Sequence, residues 1–116
     1  MKPHIHAKNS AHKYGGKPED YQAIHDQMDI SKSAHASVKH RIVFHSALGI
    51  YIVERIFGVL LVNSDGAKVS VRDVAEDHVL EDLGTIPSLD DWLDHMTIAK
   101  WMGGPSRRHR FIKAEE

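Results

Sequence analysis

The stretch SKSAHASVKHRIVFHSALGIYIVERIFG, residues 31–58, decides the fold expected for this chain. It contains no proline, and Gly49 is the only glycine before Gly58. Apolar residues recur at helical spacing on two neighbouring faces, which is typical of a helix that is largely buried. We therefore predict one long central helix from Ser31 to Phe57, on the order of 40 Å long at 1.5 Å per residue, that ends at Gly58.

Shorter helices are expected on both sides of this central helix. Pro18–Asp20 predicts a helix start, because proline suits the first turn and acids favour the positive end of the helix dipole. Asp73 and Glu76 fit a capping arrangement at the start of a later helix, and Pro87-Ser88 precedes a short one. These signals predict helices over residues 18–28, 74–83 and 89–98.

A β-hairpin is expected between two of these helices. Asn63–Gly66 is a strong turn signal, and short segments rich in β-branched residues flank it. We expect a mainly α fold: a small helical domain around one long central helix, with one short β-hairpin. A single domain over residues 1–104 fits the length of the chain, with residues 1–16 as an irregular N-terminal arm and residues 105–116 as a flexible charged tail.

The composition excludes several classes of protein. The net charge of −1 with neutral histidines gives no general attraction to nucleic acid or to a membrane surface. No apolar run approaches the roughly 18 residues that a membrane helix needs, and the first residues lack the apolar stretch of a signal peptide. The absence of cysteine excludes disulfides and thiolate metal sites. We expect a cytoplasmic protein of a bacterial or host cell.

Histidine is unusually abundant in this chain, with 10 among 116 residues. It is the commonest metal ligand and the side chain that titrates near neutral pH. Because the histidines are spread along the chain, a purification tag does not explain them. Either several converge on one metal site, or they give the protein a large pH-dependent charge. They stand at positions 4, 6, 12, 25, 35, 40, 45, 78, 95 and 109.

Two histidines lie one helical turn from a carboxylate, a spacing that suits joint binding of a metal. His25 and Asp29 are four residues apart, and so are His78 and Asp82. A surface ion pair remains the alternative for His25, and a buried hydrogen-bonded ring remains the alternative for His78. The arm histidines fit a solvated segment, and we expect surface positions for His35, His95 and His109.

We expect a divalent metal held by three histidines and a carboxylate on several helices. His25, His45 and His78 are the expected nitrogen ligands. Three histidines with one carboxylate or water suit zinc, and iron, manganese and nickel also accept nitrogen and oxygen donors. If the site is catalytic, a metal-activated water would hydrolyse a phosphate ester or nucleotide as the small-molecule substrate. The carboxylate would come from Asp26, Asp29, Glu54 or Asp82.

The chain resembles a family of small bacterial and phage proteins defined as a domain of unknown function, DUF6915. The resemblance covers residues 15–101 and implies a single compact domain, in which His25, His40, His45, Glu54 and His78 recur as fixed features. It implies no activity. It rests on Gly-Gly-Lys-Pro-Glu-Asp-Tyr at 15–21, Ile-His-Asp at 24–26, His-Arg at 40–41, Glu-Arg-Ile-Phe-Gly at 54–58, Asn-Ser-Asp-Gly at 63–66, Glu-Asp-Leu-Gly at 81–84 and Asp-Trp-Leu at 91–93.

A non-enzymatic module of phage origin is the competing hypothesis. The protein would then be a homo-oligomer, with its central helix packed against a second copy where Ala47 and Gly49 allow close approach. Its histidines would be buried or interfacial groups that protonate below about pH 6.5. Spatial convergence separates the hypotheses, because a metal site requires His25, His45 and His78 to surround one point.

Overall fold

The computed structural model describes residues 1–105, and it confirms a mainly α fold with one short β-hairpin. Within the described residues, no helix is both long and apolar enough to span a bilayer. Among residues 1–105, three short 3-10 helices lie outside the regular elements, at Ile30–Ser33, Val38–Ile42 and Lys100–Gly103. The regular elements in chain order are α1 (Pro3–Tyr14), α2 (Glu19–Met28), α3 (Ala47–Phe57), β1 (Leu60–Val62), β2 (Lys68–Ser70), α4 (Val71–Leu83) and α5 (Leu89–Leu93).

The core lies where α2, α3 and α4 meet. α1 packs against α2, and the antiparallel hairpin pairs Leu61 with Val69 and leads directly into α4. Each of the three core helices contributes an apolar face, and the inner faces of α2 and α4 also bury the polar side chains of His25 and His78. The buried apolar side chains that form this core cluster are Tyr21, Ile24, Met28, Ile50, Val53, Val69, Val71, Val74, Ala75 and Val79.

The prediction of one long helix from Ser31 to Phe57 is wrong, because α3 begins only at Ala47. Ser46 is its N-cap and accepts a hydrogen bond from the Gly49 N–H at 3.1 Å. Before it, the hydroxyls of Ser31 and Ser33 donate to the carbonyls of His40 and Ile30. These local bonds compete with helical ones, so the apolar periodicity continues where the helix does not.

Residues 1–16 do not form the irregular arm that we expected. Pro3 occupies the first turn of α1, where its missing N–H costs no hydrogen bond. His6, Ala7 and Ser10 are buried. They share one face of α1, because Ser10 follows His6 by four residues and Ala7 by three. The charged tail expected at residues 105–116 lies outside the described residues from residue 106 onward.

The hairpin turn fixes how α1 and α2 are joined. The backbone N–H of Gly16 donates to Asp65 Oδ2 at 2.8 Å, and Asn63 Nδ2 donates to the Tyr21 hydroxyl at 3.1 Å. Gly15 and Gly16 have φ of 87° and 73°, which side chains other than glycine rarely adopt. This turn therefore places α1 against α2. The face of α1 that carries His6 and Ser10 is buried.

α4 begins earlier than the sequence indicated, at Val71 rather than Val74. Its N-cap is Ser70, whose hydroxyl accepts from the Asp73 N–H at 3.2 Å. Gly84 ends α4 with a left-handed φ of 75°, as predicted. The last predicted helix is short and ends at Leu93 rather than near residue 98.

Candidate metal centre

Five side chains from four separate segments meet at one buried place. Asp29 follows α2 directly, His40 lies in the 3-10 helix Val38–Ile42, and His45 precedes α3. His78 and Asp82 lie one turn apart on the inner face of α4. The side chains of His45 and His78 are 0% exposed, that of Asp82 is 1% exposed, and those of Asp29 and His40 are 4% exposed.

The facing atoms are spaced like ligands around one ion. Asp29 Oδ1 lies 3.4 Å from His78 Nε2, 3.6 Å from His45 Nε2 and 3.7 Å from His40 Nε2. Asp82 Oδ2 lies 2.8 Å from His45 Nε2 and 3.4 Å from His78 Nε2. Metal–ligand bonds of about 2.1 Å place neighbouring donors about 3.0 to 3.5 Å apart in octahedral or tetrahedral geometry. The ligand atoms of Asp29, His45, His78 and Asp82 all lie within 4.8 Å of one another, and His40 Nε2 lies at the edge of this group.

Three buried polar atoms in this cluster lack a hydrogen-bond partner. His40 donates from Nδ1 to the Ser37 carbonyl at 2.7 Å, so its Nε2 carries the lone pair. This Nε2 faces Asp29 and has no hydrogen bond, and neither has Asp29 Oδ2. Orphaned buried acceptors are rare in native proteins, and a metal ion is one partner that would satisfy both. His45 departs from the usual ligand pattern, because its Nδ1 also lacks a partner.

The cluster strongly favours ionised carboxylates. Burial alone would raise the pKa of Asp82, but hydrogen bonds with His45, His6 and His78 hold that pKa well below its usual range. The pKa of Asp29 is also lowered, because His78 and His45 outweigh its burial. Burial lowers the pKa of His45, whereas the two carboxylates outweigh burial at His78 and raise its pKa. The site therefore holds a buried pair of ionised carboxylates, of which Asp82 is also paired with the N-terminal amine at 3.1 Å and lies 3.8 Å from Arg41 Nη2.

A second group of rings packs on the α1 side of this cluster. The rings of His6 and His78 are stacked with centroids 3.7 Å apart, and the rings of His6 and His25 are stacked at 5.4 Å. Lone pairs of imidazole lie in the ring plane, so stacked rings do not aim them at one ion. Each outer ring is instead hydrogen-bonded, since His6 Nδ1 lies 2.6 Å from Glu81 Oε1 and His25 Nε2 lies 2.7 Å from Ser10 Oγ.

The structure brings together some of the residues expected from the sequence and separates others. His45, His78 and Asp82 lie in the five-residue cluster, and His25 contacts it through His78 at 2.8 Å. Asp26 is exposed and accepts from Gln22, and Glu54 pairs with Arg72 at 2.9 Å. Both of these carboxylates lie outside the cluster.

Sequence reasoning missed His6 and His40, and it named Asp29 only as an alternative. His6, Ala7 and Ser10 share the buried face of α1, but His6 and Ser10 are polar, so apolar periodicity did not mark this face in the sequence. For His40 the only signal was its place in the family resemblance, because its position depends on the turns that replace the expected long helix. His4, His12, His35 and His95 are exposed. His109 lies outside the described residues.

Comparison with known proteins identifies the family without naming an activity. A search of curated proteins and a search of solved structures each found no match to this chain. The family model described as a domain of unknown function, DUF6915, matches residues 1–102, which is most of the chain. The chain belongs to the DUF6915 family.

Proposed function

We propose that this protein binds one divalent metal ion through Asp29, His45, His78 and Asp82, with His40 as a fifth ligand. One observation carries the proposal: three imidazole Nε2 atoms surround Asp29 Oδ1 at 3.4 to 3.7 Å in a buried site. The unpartnered Nε2 of His40 supports it. The N-terminal amine and Arg41 lie beside Asp82 only, and a divalent ion would also neutralise the buried carboxylate of Asp29.

The donor set narrows the choice of metal. Three imidazole nitrogens and two carboxylate oxygens suit zinc, and they also suit iron, manganese and nickel. Calcium and magnesium prefer sites built from oxygen alone. We propose zinc as the first ion to test, since imidazole and carboxylate are both common zinc ligands.

Burial of every donor favours a structural ion over a catalytic one. Structural sites are closed by protein ligands, whereas catalytic sites keep a position open for water or substrate. A surface groove lies on the other side of the Val38–Ile42 segment, and no ligand of the proposed ion lines it. Hydrolysis of a phosphate ester would require a path by which the substrate reaches the ion. We therefore favour a structural role for the ion over a catalytic one. The groove is lined by His35, Val38, Lys39, Ile42, Trp92, His95, Met96 and Thr97.

Elemental analysis of matched variants tests the metal proposal. The untagged protein, purified without chelator or added metal, should carry close to one ion per chain. Asp82→Asn keeps the shape of the side chain but removes its charge, and it should lose the ion. Asp26→Asn and Glu54→Gln are matched controls outside the cluster, and they should keep it. Full metal content in Asp82→Asn would contradict the ligand set.

A second proposal, self-association, is favoured by an apolar surface away from the metal cluster. Leu48 and Tyr51 are 41% and 49% exposed and lie on the side of α3 away from the buried Val53. Ile56, one turn after Val53, is 53% exposed. The chain continues from this face into β1, where Leu60 and Val62 are 53% and 66% exposed. Exposed apolar surface of this kind is typical of interaction sites, and β1 has one unpaired edge in this two-stranded sheet.

Light scattering at several protein concentrations tests self-association. We expect the wild type to have the mass of a dimer or larger assembly, and Leu48→Lys with Tyr51→Lys to have the mass of a monomer. The double variant should keep its metal, because neither residue contacts the cluster. A monomeric wild type at every concentration would contradict this second proposal and leave the first one intact.

A further inference from the structure

A buried line of hydrogen bonds connects α1 to the proposed metal site. Ser10 Oγ lies 2.7 Å from His25 Nε2, and His25 Nδ1 lies 2.8 Å from His78 Nδ1. At the other end, His78 Nε2 lies 3.4 Å from both Asp29 Oδ1 and Asp82 Oδ2. Both rings are 0% exposed and Ser10 is 3% exposed, so bulk water does not substitute for these partners.

When both rings are neutral, the hydrogen bonds along this line can run in either of two directions. Between the two Nδ1 atoms, one must carry the hydrogen and the other must accept it. If His78 carries it, His25 accepts on Nδ1 and donates from Nε2 to Ser10. His78 Nε2 is then free of hydrogen and offers its lone pair. In the reverse direction, His78 Nε2 carries the hydrogen, points it at the carboxylates and has no lone pair for an ion.

We propose that His25 is a positioning residue that holds His78 in the tautomer with hydrogen on Nδ1. In the metal-bound protein, the Nε2 lone pair of His78 is then directed at the ion that Asp29 and Asp82 also bind. The inference rests on the proposed metal binding and assigns His25 a role different from the ligand role expected from sequence. Both nitrogens of His25 are already engaged, by Ser10 and by His78, so neither is available to an ion.

His6 completes the support of the same ring. Its ring stacks on that of His78 with centroids 3.7 Å apart, and Glu81 holds its Nδ1 at 2.6 Å. Stacking restricts the tilt of the His78 plane, whereas the hydrogen bond to His25 restricts its rotation and its tautomer. Hydrogen-bonded partners of this kind orient metal-binding imidazoles in many sites.

Two substitutions of similar size separate hydrogen bonding from packing. In His25→Asn, the side-chain oxygen lies close to the original Nδ1 and accepts from His78. In His25→Leu, a side chain of similar volume accepts nothing. Loss of a supporting hydrogen bond typically costs about 10- to 100-fold in metal affinity. We expect His25→Leu to show that loss for Zn²⁺ and His25→Asn to recover most of it, with the exposed His12→Asn as a control.

The tautomer itself gives a readout that a purely structural role would not change. Long-range ¹H–¹⁵N correlation spectra distinguish a ring with hydrogen on Nδ1 from one with hydrogen on Nε2. We expect the Nδ1–H form at His78 in the zinc-loaded wild type, where Nε2 binds the ion. Without the ion, Asp29 and Asp82 accept from Nε2–H and favour the other form, so at alkaline pH the metal-free wild type should show a mixture in which His25 maintains an Nδ1–H fraction. Metal-free His25→Asn should keep that fraction, and metal-free His25→Leu should lose it.

Failure of the positioning role is distinguishable from failure of metal binding. A wild type that takes up no metal overturns the metal proposal, and the metal-free spectrum then still decides whether His25 sets the tautomer. A His25→Leu variant with wild-type affinity and an unchanged His78 tautomer overturns the positioning role alone. If His25→Leu does not fold, Ser10→Ala replaces it, and unchanged affinity and tautomers in Ser10→Ala overturn the role.

Discussion

At the scale of single residues, a hydrogen bond at one ring nitrogen of a histidine determines whether the other ring nitrogen can bind an ion. His40 donates a hydrogen bond from Nδ1 to the Ser37 carbonyl, and its Nε2 faces Asp29. Both ring nitrogens of His25 are hydrogen-bonded, to Ser10 and to His78, so neither is available to bind an ion. Burial lowers the pKa of His25 to about 3, with help from His78 and His6, so this ring stays neutral and can accept a hydrogen bond.

Gly49 is a single residue on which the start of α3 depends. A Cβ at this position would collide with the backbone of Phe44, which cannot move aside as a flexible side chain would. We predict that Gly49→Ala destabilises the protein by about 1 to 3 kcal/mol, the usual cost of overpacking.

Urea denaturation of Gly49→Ala, compared with Gly103→Ala, measures this cost. A Cβ at Gly103 would meet nothing within 4 Å, so the control should unfold close to the wild type. Equal stability of Gly49→Ala and the control would mean that the contact with Phe44 does not constrain this turn.

At the scale of elements, α4 carries the two ligands whose relation is fixed locally. His78 and Asp82 are one turn apart, so any α-helix would place them on one face. The position at which this helix begins matters because its first turn joins β2 without a loop. Ser70 therefore both ends the hairpin and caps the helix.

Substitutions at the N-terminus of α4 test whether Ser70, as the structure shows, or Asp73, as the sequence predicted, caps this helix. Ser70→Ala removes the hydroxyl that accepts from the Asp73 N–H, and we predict a loss of about 1 kcal/mol in the free energy of unfolding. Asp73→Ala removes a charge near the helix N-terminus and should cost less, about 0.3 to 1 kcal/mol. Chemical denaturation of both variants without metal checks the order. A larger loss in Asp73→Ala would place the cap at Asp73.

At the scale of the whole molecule, the proposed ion joins segments that otherwise share few interactions. The chain from Asp29 to His45 contains only short 3-10 helices and irregular backbone. The buried apolar core draws its residues from α2, α3, α4 and β2, and none of them lies between residues 30 and 46. An ion bound by Asp29, His40 and His45 would tie this segment to α4.

Thermal unfolding with and without metal measures that contribution. A ligand at 100 times its dissociation constant stabilises the native state by about 2.7 kcal/mol. For a domain of this size, that corresponds to a rise in Tm of about 10 °C or more. We predict such a rise when zinc is added to chelator-treated protein, and no rise for Asp82→Asn. An equal rise in Asp82→Asn would show that zinc acts elsewhere.

The sequence by itself determined the features that depend on neighbours in the chain. The turn at Asn63–Gly66 predicted the hairpin, and Gly84 predicted the end of α4, because both depend on local backbone preferences. The pairing of His78 with Asp82 followed in the same way, since helix geometry alone brings residues i and i+4 together.

Only the tertiary structure decided which distant histidines meet. The break before Ala47 turned His40 back towards Asp29, and the packing of α1 on α2 placed Ser10 beside His25. Apolar periodicity cannot report these contacts, because it records which face of a segment is buried but not what that face touches. The cluster joins residues 29 and 82, and their separation in space depends on how the whole core packs.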